Sequence, residues 1–299
     1  MNLREKIESG RFVLTVEVAP PVSFARSDLL EKAVALKGLA DAVNVTDAAG
    51  ARAAMGALTA ATILREQGIE PILQLTCRDR NRIALQSDLI SAAASGIENM
   101  LILRGDDPSA GDQPDAKPVF DLDARQLLDL ARKMRDVGEL PTGRKIAGQS
   151  AFFLGCADNP IDPPKDWQPK ALEAKIAAGA QFAQTQFCMD TGVIRRYASR
   201  LEEMGVLENL SILIGIAPLR SAKSARWIKE KLFGAIVPDA LIERMEKATD
   251  AVAEGSAIAL ELIEEISSIK GIAGAHIMAP NNDAAVPAIL ETARRRLQI

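Results

Sequence analysis

One repeated unit constrains this chain more than any other feature of its sequence. The unit is a short apolar run rich in β-branched residues, followed by a polar turn and an amphipathic segment of about ten to sixteen residues. Each run predicts a strand, and each amphipathic segment predicts a helix. Eight strands are predicted: Phe12–Val18, Ala42–Thr46, Ile72–Thr76, Met100–Leu103, Ile146–Phe153, Phe182–Gln186, Ile212–Ile216 and Ala275–Met278.

Helices are predicted between and after these strands. They cover Arg26–Leu39, Ala53–Gln67, Asn81–Ala94, Ala124–Asp136, Lys170–Ala178, Thr191–Met204, Ser221–Leu232, Asp239–Ala248, Ala251–Ile269 and Ala284–Leu297. The pair at 239–248 and 251–269 comes before the last strand, and we interpret it as an elaboration of the same domain.

The connections between strands are long enough to be crossovers. Parallel strands need crossovers of about a dozen residues, and eight such units close most naturally into a barrel. We therefore predict an α/β fold, a (β/α)8 TIM barrel in which residues 1–299 form a single catalytic domain with extra helices before the last strand. The alternative is an open doubly wound sheet. Its dinucleotide-binding version needs GxGxxG after the first strand, where this chain has Ala19–Phe24 (APPVSF).

Composition narrows the choice of partners. The chain is 48% hydrophobic and 25% charged, which is typical of a globular protein. Its formal net charge is −4 and its basic residues are not clustered, so nucleic acid is not expected to bind. The charged start, MNLREKIESG, is unlike a signal peptide, and no apolar run is long enough for a membrane span. We expect a cytoplasmic protein without a membrane partner.

Two long segments follow predicted strands and are rich in Pro, Gly and Asp. They are Asp106–Asp121 and Asp158–Pro169, and their composition is typical of loops. Loops after strands form the face where barrel enzymes carry out chemistry, so we expect these two to cover a ligand. The cysteines, Cys77, Cys156 and Cys188, are widely spaced and odd in number, which predicts buried free thiols.

Glu17 is an acidic residue inside an otherwise apolar first strand, just before the two prolines that end it. Alternate side chains of a barrel strand point inward, and near the carboxyl end they point toward the active-site mouth. Partial desolvation there would raise the pKa of the carboxyl group and suit it to general acid catalysis. The structural alternative is a carboxylate paired with Lys or Arg on a neighbouring strand.

Other polar residues gather where predicted strands end. Thr46 and Gln74 lie at the ends of strands two and three, and they are candidates for lining a site or for simple turn formation. Arg104-Gly105-Asp106 ends strand four, where glycine permits close backbone approach and Asp106 can accept hydrogen bonds from a heterocycle. A turn capped by Asp106 is the structural alternative.

The amide of Gln186, near the end of strand six, can both donate and accept hydrogen bonds, so it could match the edge of a pteridine or a nicotinamide. Lys175 lies in the preceding helix, where a lysine is usually solvated unless a phosphate is near. His276 is the one histidine, and its apolar strand favours a core residue. Without a histidine cluster, GxSxG or a P-loop, the chemistry is expected to come from an organic cofactor.

Six motifs in order resemble the methylenetetrahydrofolate reductase family, from Phe12 to the last helix. They are VEVAPP, NVTDAAG, LQLTCRDRN, LRGDDP, AAGAQFAQTQF and IGIAPL. The resemblance implies a (β/α)8 barrel that binds FAD, is reduced by NADH or NADPH, and reduces 5,10-methylenetetrahydrofolate to 5-methyltetrahydrofolate.

The resemblance also implies roles for particular residues. Glu17 matches the acid that assists opening of the imidazolidine ring. Asp106 matches an aspartate near the flavin and the pterin, and Gln186 matches a glutamine that contacts the folate ring. Cofactor contacts are implied for Thr46, Gln74, Arg104, Gly105, Asp106 and Lys175, with Gln74 standing where the family often has histidine.

Several positions depart from the family pattern. The loop after strand five commonly contains tyrosine and histidine, whereas this chain has Phe153–Pro160. The next helix commonly carries an aspartate, an asparagine and an arginine for the cofactor, which are here Gln168, Ala171 and Ala174, so Lys175 alone remains. Losing the arginine removes a charge-assisted contact to the FAD pyrophosphate, worth about 1.5–3 kcal/mol.

The sequence is also compatible with other functions for this barrel. One is a reductase of the same folate that lacks bound flavin or takes electrons from a partner subunit. Others are a pterin-binding methyltransferase barrel and a barrel kept only as a binding subunit. An arginine expected after strand eight for the folate tail is replaced within Pro280–Asn282. The sequence is compatible with a homo-oligomer or with an electron-transfer partner.

Overall fold

Eight parallel strands close into a barrel in the order β1 to β8 in the computed structural model, which describes residues 1–299. The predicted (β/α)8 barrel is therefore confirmed. The strands are β1 (Val13–Val18), β2 (Ala42–Val45), β3 (Pro71–Thr76), β4 (Asn99–Leu103), β5 (Phe153–Asp158), β6 (Phe182–Phe187), β7 (Ser211–Ile216) and β8 (Ile272–Ile277).

The helices surround this barrel. They are α1 (Leu3–Glu8), α2 (Arg26–Ala33), α3 (Ala57–Glu66), α4 (Arg82–Ala94), α5 (Ala124–Val137), α6 (Lys170–Ala177), α7 (Thr191–Glu203), α8 (Ala222–Lys231), α9 (Asp239–Lys247), α10 (Ala251–Ser267) and α11 (Val286–Leu297). None of the helices is both long enough and apolar enough to cross a lipid bilayer.

The fifth strand lies later in the chain than predicted. We expected Ile146–Phe153, but the strand is Phe153–Asp158 and pairs Phe153 with Asn99 of β4. The earlier apolar residues look strand-like, yet Gly148 has a φ of +86° and interrupts an extended run. Residues that we took for a loop therefore form the barrel wall, where Gly155 passes so close to Phe182 that a methyl group would clash.

Helix α1 was not predicted, and it closes the amino-terminal end of the barrel. Asn2 and Glu5 form a reciprocal capping box at its start. Leu3 and Ile7 then pack on the lowest inward-facing layer of the strands. That layer consists of Val13, Ala42, Ile72, Leu101, Phe153, Phe182 and Leu213.

The extra helices before the last strand are confirmed. After α8 the chain returns across the carboxyl end of β6, where Ile236 bridges to Cys188 and its amide N–H donates to the Phe187 carbonyl at 2.8 Å. Helices α9 and α10 follow before β8. The three cysteines are buried and unpaired, as predicted, and burial raises each thiol pKa to about 12.

Candidate active site

Glu17 lies near the carboxyl end of β1 and is half-buried. Burial raises the pKa of its carboxyl group, the hydrogen bond from Gln74 opposes that shift, and the negative charge of Asp283 adds to it. The Gln74 amide Nε2 donates to Glu17 Oε2 at 3.0 Å. No Lys or Arg forms a salt bridge with Glu17, so the ion-pair alternative is not what the structure contains. Its carboxyl group is available for proton transfer.

Directly below this pair, four uncharged side chains form a hydrogen-bonded floor inside the barrel. Gln184 Nε2 donates to Thr15 Oγ1 at 3.1 Å and to Asn44 Oδ1 at 3.0 Å. The ring Nδ1 of His276 lies 3.0 Å from Thr15 Oγ1. Burial lowers the pKa of His276 to about 3, so the ring is neutral at physiological pH. We call Thr15, Asn44, Gln184 and His276 the polar floor.

Two predicted site residues keep hydrogen-bonding groups free at the mouth. Gln186 Oε1 accepts from the Phe187 amide at 3.0 Å, while its side-chain NH2 makes no hydrogen bond. Thr46 is 3% exposed, and no hydrogen bond engages its hydroxyl group. Both residues follow inward-facing members of the polar floor by two positions, on β6 and just after β2. They could therefore bind a ligand that lies over Glu17.

A buried ion pair that sequence reasoning missed stands beside β3. Burial alone would raise the pKa of Asp47, but Arg80 and the two groups donated by Thr76 lower it below the usual aspartate range. Asp47 accepts two hydrogen bonds from Arg80, at 2.7 and 3.0 Å, and two from Thr76, at 2.9 and 2.8 Å. The pair fixes the ends of β2 and β3.

The loops that follow β2 and β4 close against each other. Asp106 Oδ2 accepts from the Gly50 amide at 3.0 Å, a contact between two loops and not the local turn cap given as the structural alternative. Arg78 is 2% exposed and donates to the carbonyls of Ala48 and Asp106 at 3.3 and 3.5 Å. A methyl group at Gly111 would lie 2.1 Å from the Ala51 carbonyl oxygen. The loops after β2 and β4 are therefore in direct contact at these points.

Arg104 and Gly105 serve this loop structure. The exposed Arg104 places its guanidinium 4.3 Å from the ring centre of Phe120, within the loop after β4. Gly105 has a φ of +87°, and a Cβ there would meet the Cβ atoms of Thr76 and Arg78 at 3.0 Å. The glycine is required because backbone and neighbouring side chains come this close.

Lys175 is positioned by the protein itself. Its Nζ donates to the Ala157 carbonyl at 2.6 Å, beside a cavity of about 320 Å³ between β5 and α6. Asp158 also lines the cavity. Burial raises the pKa of Asp158, although the hydrogen bond from Tyr197 opposes that effect.

The predicted residues therefore fall into two groups. Glu17 and Gln74 are in direct contact, with Thr46 and Gln186 at the same end of the barrel. Asp106, Arg104 and Gly105 lie in the packed loop after β4, and Lys175 lies on α6. His276 is the buried core histidine that its apolar strand predicted. The roles of Thr15, Asn44, Gln184, Asp47 and Arg80 were not predicted, although alternation along β1, β2 and β6 could have identified the first three.

A family model that matches this chain and curated relatives of the chain carry the same description. A family model named methylenetetrahydrofolate reductase matches residues 2–294. A probable methylenetetrahydrofolate reductase (NADPH) of Caenorhabditis elegans is 25% identical over 241 residues, which is 78% of this chain and 34% of the relative. The 5,10-methylenetetrahydrofolate reductase of Escherichia coli (strain K12) is 26% identical over 234 residues, 75% of this chain and 70% of the relative.

The chain covers less than half the length of several relatives, and its fold matches that of a solved structure. The chain spans 34%, 39% and 48% of the length of three relatives, from C. elegans, Schizosaccharomyces pombe and Pectobacterium carotovorum. A Clostridium thermocellum protein, described as binding two copies of 5-methyl-5,6,7,8-tetrahydrofolic acid, superposes with a TM-score of 0.70 at 14% identity. That superposition covers 98% of this chain and 99% of the other. At this identity, the likeness shows the fold alone.

Proposed function

Since the chain belongs to the methylenetetrahydrofolate reductase family, we propose that it reduces 5,10-methylenetetrahydrofolate to 5-methyltetrahydrofolate with a nicotinamide donor. Relatives named for NADPH or NADH support a nicotinamide donor. The observation that carries the proposal is Glu17, a half-buried carboxyl group at the barrel mouth without a basic partner.

Glu17 supplies the proton that the reaction consumes. The bridging methylene of the substrate joins N5 and N10, and it becomes an electrophilic iminium on N5 when its bond to N10 breaks. Protonation of N10 makes that nitrogen a better leaving group. A carboxyl group whose pKa is raised by burial stays protonated closer to neutral pH, which suits it to this general acid step.

The surroundings of Glu17 orient the substrate and protect the proton. Gln74 holds one oxygen of Glu17, which leaves Oε1 to face the folate. The free amide NH2 of Gln186 and the hydroxyl group of Thr46 offer hydrogen bonds to the polar edge of the pterin. The polar floor carries no charge at neutral pH, because His276 is neutral, so nothing below Glu17 competes electrostatically for its proton.

The contacts of the implied cofactor residues do not fit a bound FAD. A flavin held by Thr46, Arg104, Gly105 and Asp106 would have to share the ends of β2 and β4 with the loops containing Gly50 and Gly111, which contact each other. The Asp106 carboxylate is already bonded there to a backbone amide. We therefore route no step of the reaction through a flavin.

The pyrophosphate of FAD would also lack counter-charges. Lys175 is the one cation that lines the cavity between β5 and α6, and its ammonium group is bonded to a carbonyl next to the Asp158 carboxyl group. The neighbouring positions on and before α6 are Gln168, Ala171 and Ala174. Two anionic phosphates favour clusters of Arg and Lys, which the lining of this cavity does not provide. The donors that remain are the first N–H groups of α6, which begins at Lys170 without a side-chain cap.

Substitution of Glu17 tests the proposed function. Glu17→Gln keeps the size of the side chain and its bond to Gln74 but cannot donate a carboxylic proton. We expect kcat for folate reduction to fall at least about 100-fold, the usual contribution of general acid catalysis. The Kd for methyltetrahydrofolate should stay within a few-fold of the wild-type value.

Asp283→Asn is the matched control, because it removes a nearby negative charge without removing the acid. It should leave most of the activity and move the pH profile to lower pH. Full activity of Glu17→Gln would refute the assigned role. Tight methyltetrahydrofolate binding by wild-type protein without any redox turnover would instead favour a methyltransferase or a binding subunit.

A further inference from the structure

We propose that the hydride passes directly from C4 of the nicotinamide to the folate methylene carbon, with no bound flavin between them. This inference rests on the proposed function and adds its electron path. It follows from the disagreement between the residues that the resemblance implies for FAD and the contacts that those residues make.

The loop after β4 packs over the ends of β2 and β3. The loop after β4 is fixed at three places along its length: Gly111 packs on Ala51, the Val119 amide donates to the Arg78 carbonyl at 2.7 Å, and Asp121 binds Arg82 through two side-chain hydrogen bonds. These contacts engage the same loop whose Arg104, Gly105 and Asp106 the resemblance implies for the flavin. The loop after β4 is thus held against neighbouring residues at the ends of β2 and β3.

The cationic side chains around the barrel mouth differ in whether they have a hydrogen-bonding partner. Arg78 and Arg80, near β3, are both committed to carboxylates, and Lys175 is committed to a carbonyl. Arg220 and Lys223 form no salt bridge and no hydrogen bond, and the same holds for Arg52 after β2 and Lys117 after β4. Arg220 and Lys223 line a cavity of about 610 Å³ between the ends of β7 and β8.

This β7–β8 cavity gives the mouth room for a second substrate beside the folate. Trp227, which is 49% exposed, and Asn281, at a φ of +56°, also line it. Its two free cations would pair with anionic groups, either the nicotinamide pyrophosphate or the folate glutamate carboxylates. Asp283, whose negative charge raises the pKa of Glu17, lies two residues beyond Asn281 in the loop after β8.

The direct reaction balances without another redox partner. Glu17 protonates N10 as the bond from N10 to the methylene carbon breaks, which leaves an iminium on N5. The C4–H bond of the dihydronicotinamide then breaks with its electron pair, and a C–H bond forms at the methylene carbon. The nicotinamide is oxidised to its aromatic cation and the methylene group is reduced to methyl. One proton is consumed, and solvent restores it to Glu17.

Isotope transfer tests the inference. The purified full chain is given methylenetetrahydrofolate with NADH, or with NADPH, that carries deuterium on one or the other face of C4, and the methyl product is analysed by mass spectrometry. The N5–H of a reduced flavin exchanges with water, whereas a hydride transferred directly does not meet solvent. We expect one deuterium per methyl group from one face and none from the other, in the absence of added FAD.

The Glu17→Gln variant provides a second readout with an artificial electron acceptor. A flavoprotein with a damaged folate site still oxidises NADH when menadione is present. Direct transfer predicts no menadione-dependent oxidation by wild type or variant, and initial-rate plots that intersect because both substrates bind together.

Four results distinguish a failure of direct transfer from a failure of the proposed function. Loss of the label to solvent, or folate reduction that requires added FAD, would overturn direct transfer while the proposed function stands. Parallel initial-rate plots would do the same. No folate reduction with either nicotinamide, with or without FAD, would overturn the proposed function and this inference together.

For the β7–β8 cavity, Arg220→Gln with Lys223→Gln should raise at least one KM about tenfold or more, as expected from a lost charge-assisted contact. A rise confined to NADH would assign the cations to the pyrophosphate. A rise that grows with the number of glutamates on the folate would assign them to its tail. Unchanged KM values for both substrates would show that the cavity holds neither and would overturn its part in the inference.

Discussion

Removing the charge of Asp47 from the Asp47–Arg80 pair should cause a large loss of stability that depends on pH. The Asp47 side chain is 4% exposed and that of Arg80 is 22% exposed, and the guanidinium makes two hydrogen bonds to the carboxylate. Removing one partner of a buried pair typically costs about 3–5 kcal/mol, because the other charge stays buried and unpaired. Arg80 also pairs with Asp88 at 2.8 Å, so we expect about 2–3 kcal/mol for Asp47→Asn.

The same chain contains a control with equal geometry and different burial. Arg196 and Asp162 form two hydrogen bonds at 2.7 and 2.8 Å, but their side chains are 55% and 58% exposed. Exposed pairs contribute little, since water already solvates both charges. Urea unfolding at neutral pH should therefore show a clear fall in the midpoint for Asp47→Asn and none for Asp162→Asn.

The pH dependence of the Asp47 variant has a definite sign. The pKa of Asp47 is lowered in the folded protein, so its contribution to stability is present above the usual aspartate value of 3.8 and is lost as the pH falls through the folded pKa. The difference between wild type and Asp47→Asn should shrink on acidification. Equal losses of stability for Asp47→Asn and Asp162→Asn would refute the reasoning from burial. So would a stability difference between wild type and Asp47→Asn that does not change with pH.

Two other variants test the interior of the barrel. Glu17→Gln should raise the free energy of unfolding at neutral pH, because a carboxyl group whose pKa is raised in the folded protein loses its stabilising contribution as the pH rises. In urea unfolding at a series of pH values, this gain should vanish below pH 4.5, the usual pKa of glutamate. Leu3→Ala, at a fully buried position, should cost about 2–5 kcal/mol in the same assay. Val22→Ala is its control, since Val22 is 87% exposed; equal effects of Leu3→Ala and Val22→Ala would contradict the plugging role of α1.

The barrel could be predicted because the repeat of strand and helix depends on local periodicity. The error at β5 has a physical cause: residues before and within the strand are equally apolar, and only pairing with Asn99 and Phe182 selects the register. Helix α1 is too short to be stable by propensity alone. Leu3 and Ile7 become helical because the open end of the barrel buries them, which is a tertiary effect.

The candidate site was predictable where a residue violates its local pattern. Glu17 stands out as an acid within an apolar strand. The contacts of Asp47 with Arg80, and of Gln184 with Thr15 and Asn44, join residues far apart in the chain, so spacing cannot reveal them. The contact of Asp106 could not be predicted from the sequence. An aspartate at this position can bind a ligand or accept from a backbone amide, and only the folded position of Gly50 shows which contact forms.

The plug formed by α1 has a kinetic consequence. Leu3 packs in one cluster with Leu213, so the first helix contributes its burial only after strands from both halves of the chain are in place. Contacts of such long sequence separation form late, and contacts absent from the folding transition state act mainly on the unfolding rate. We therefore expect α1 to slow the unfolding of the closed barrel and to leave its folding rate nearly unchanged.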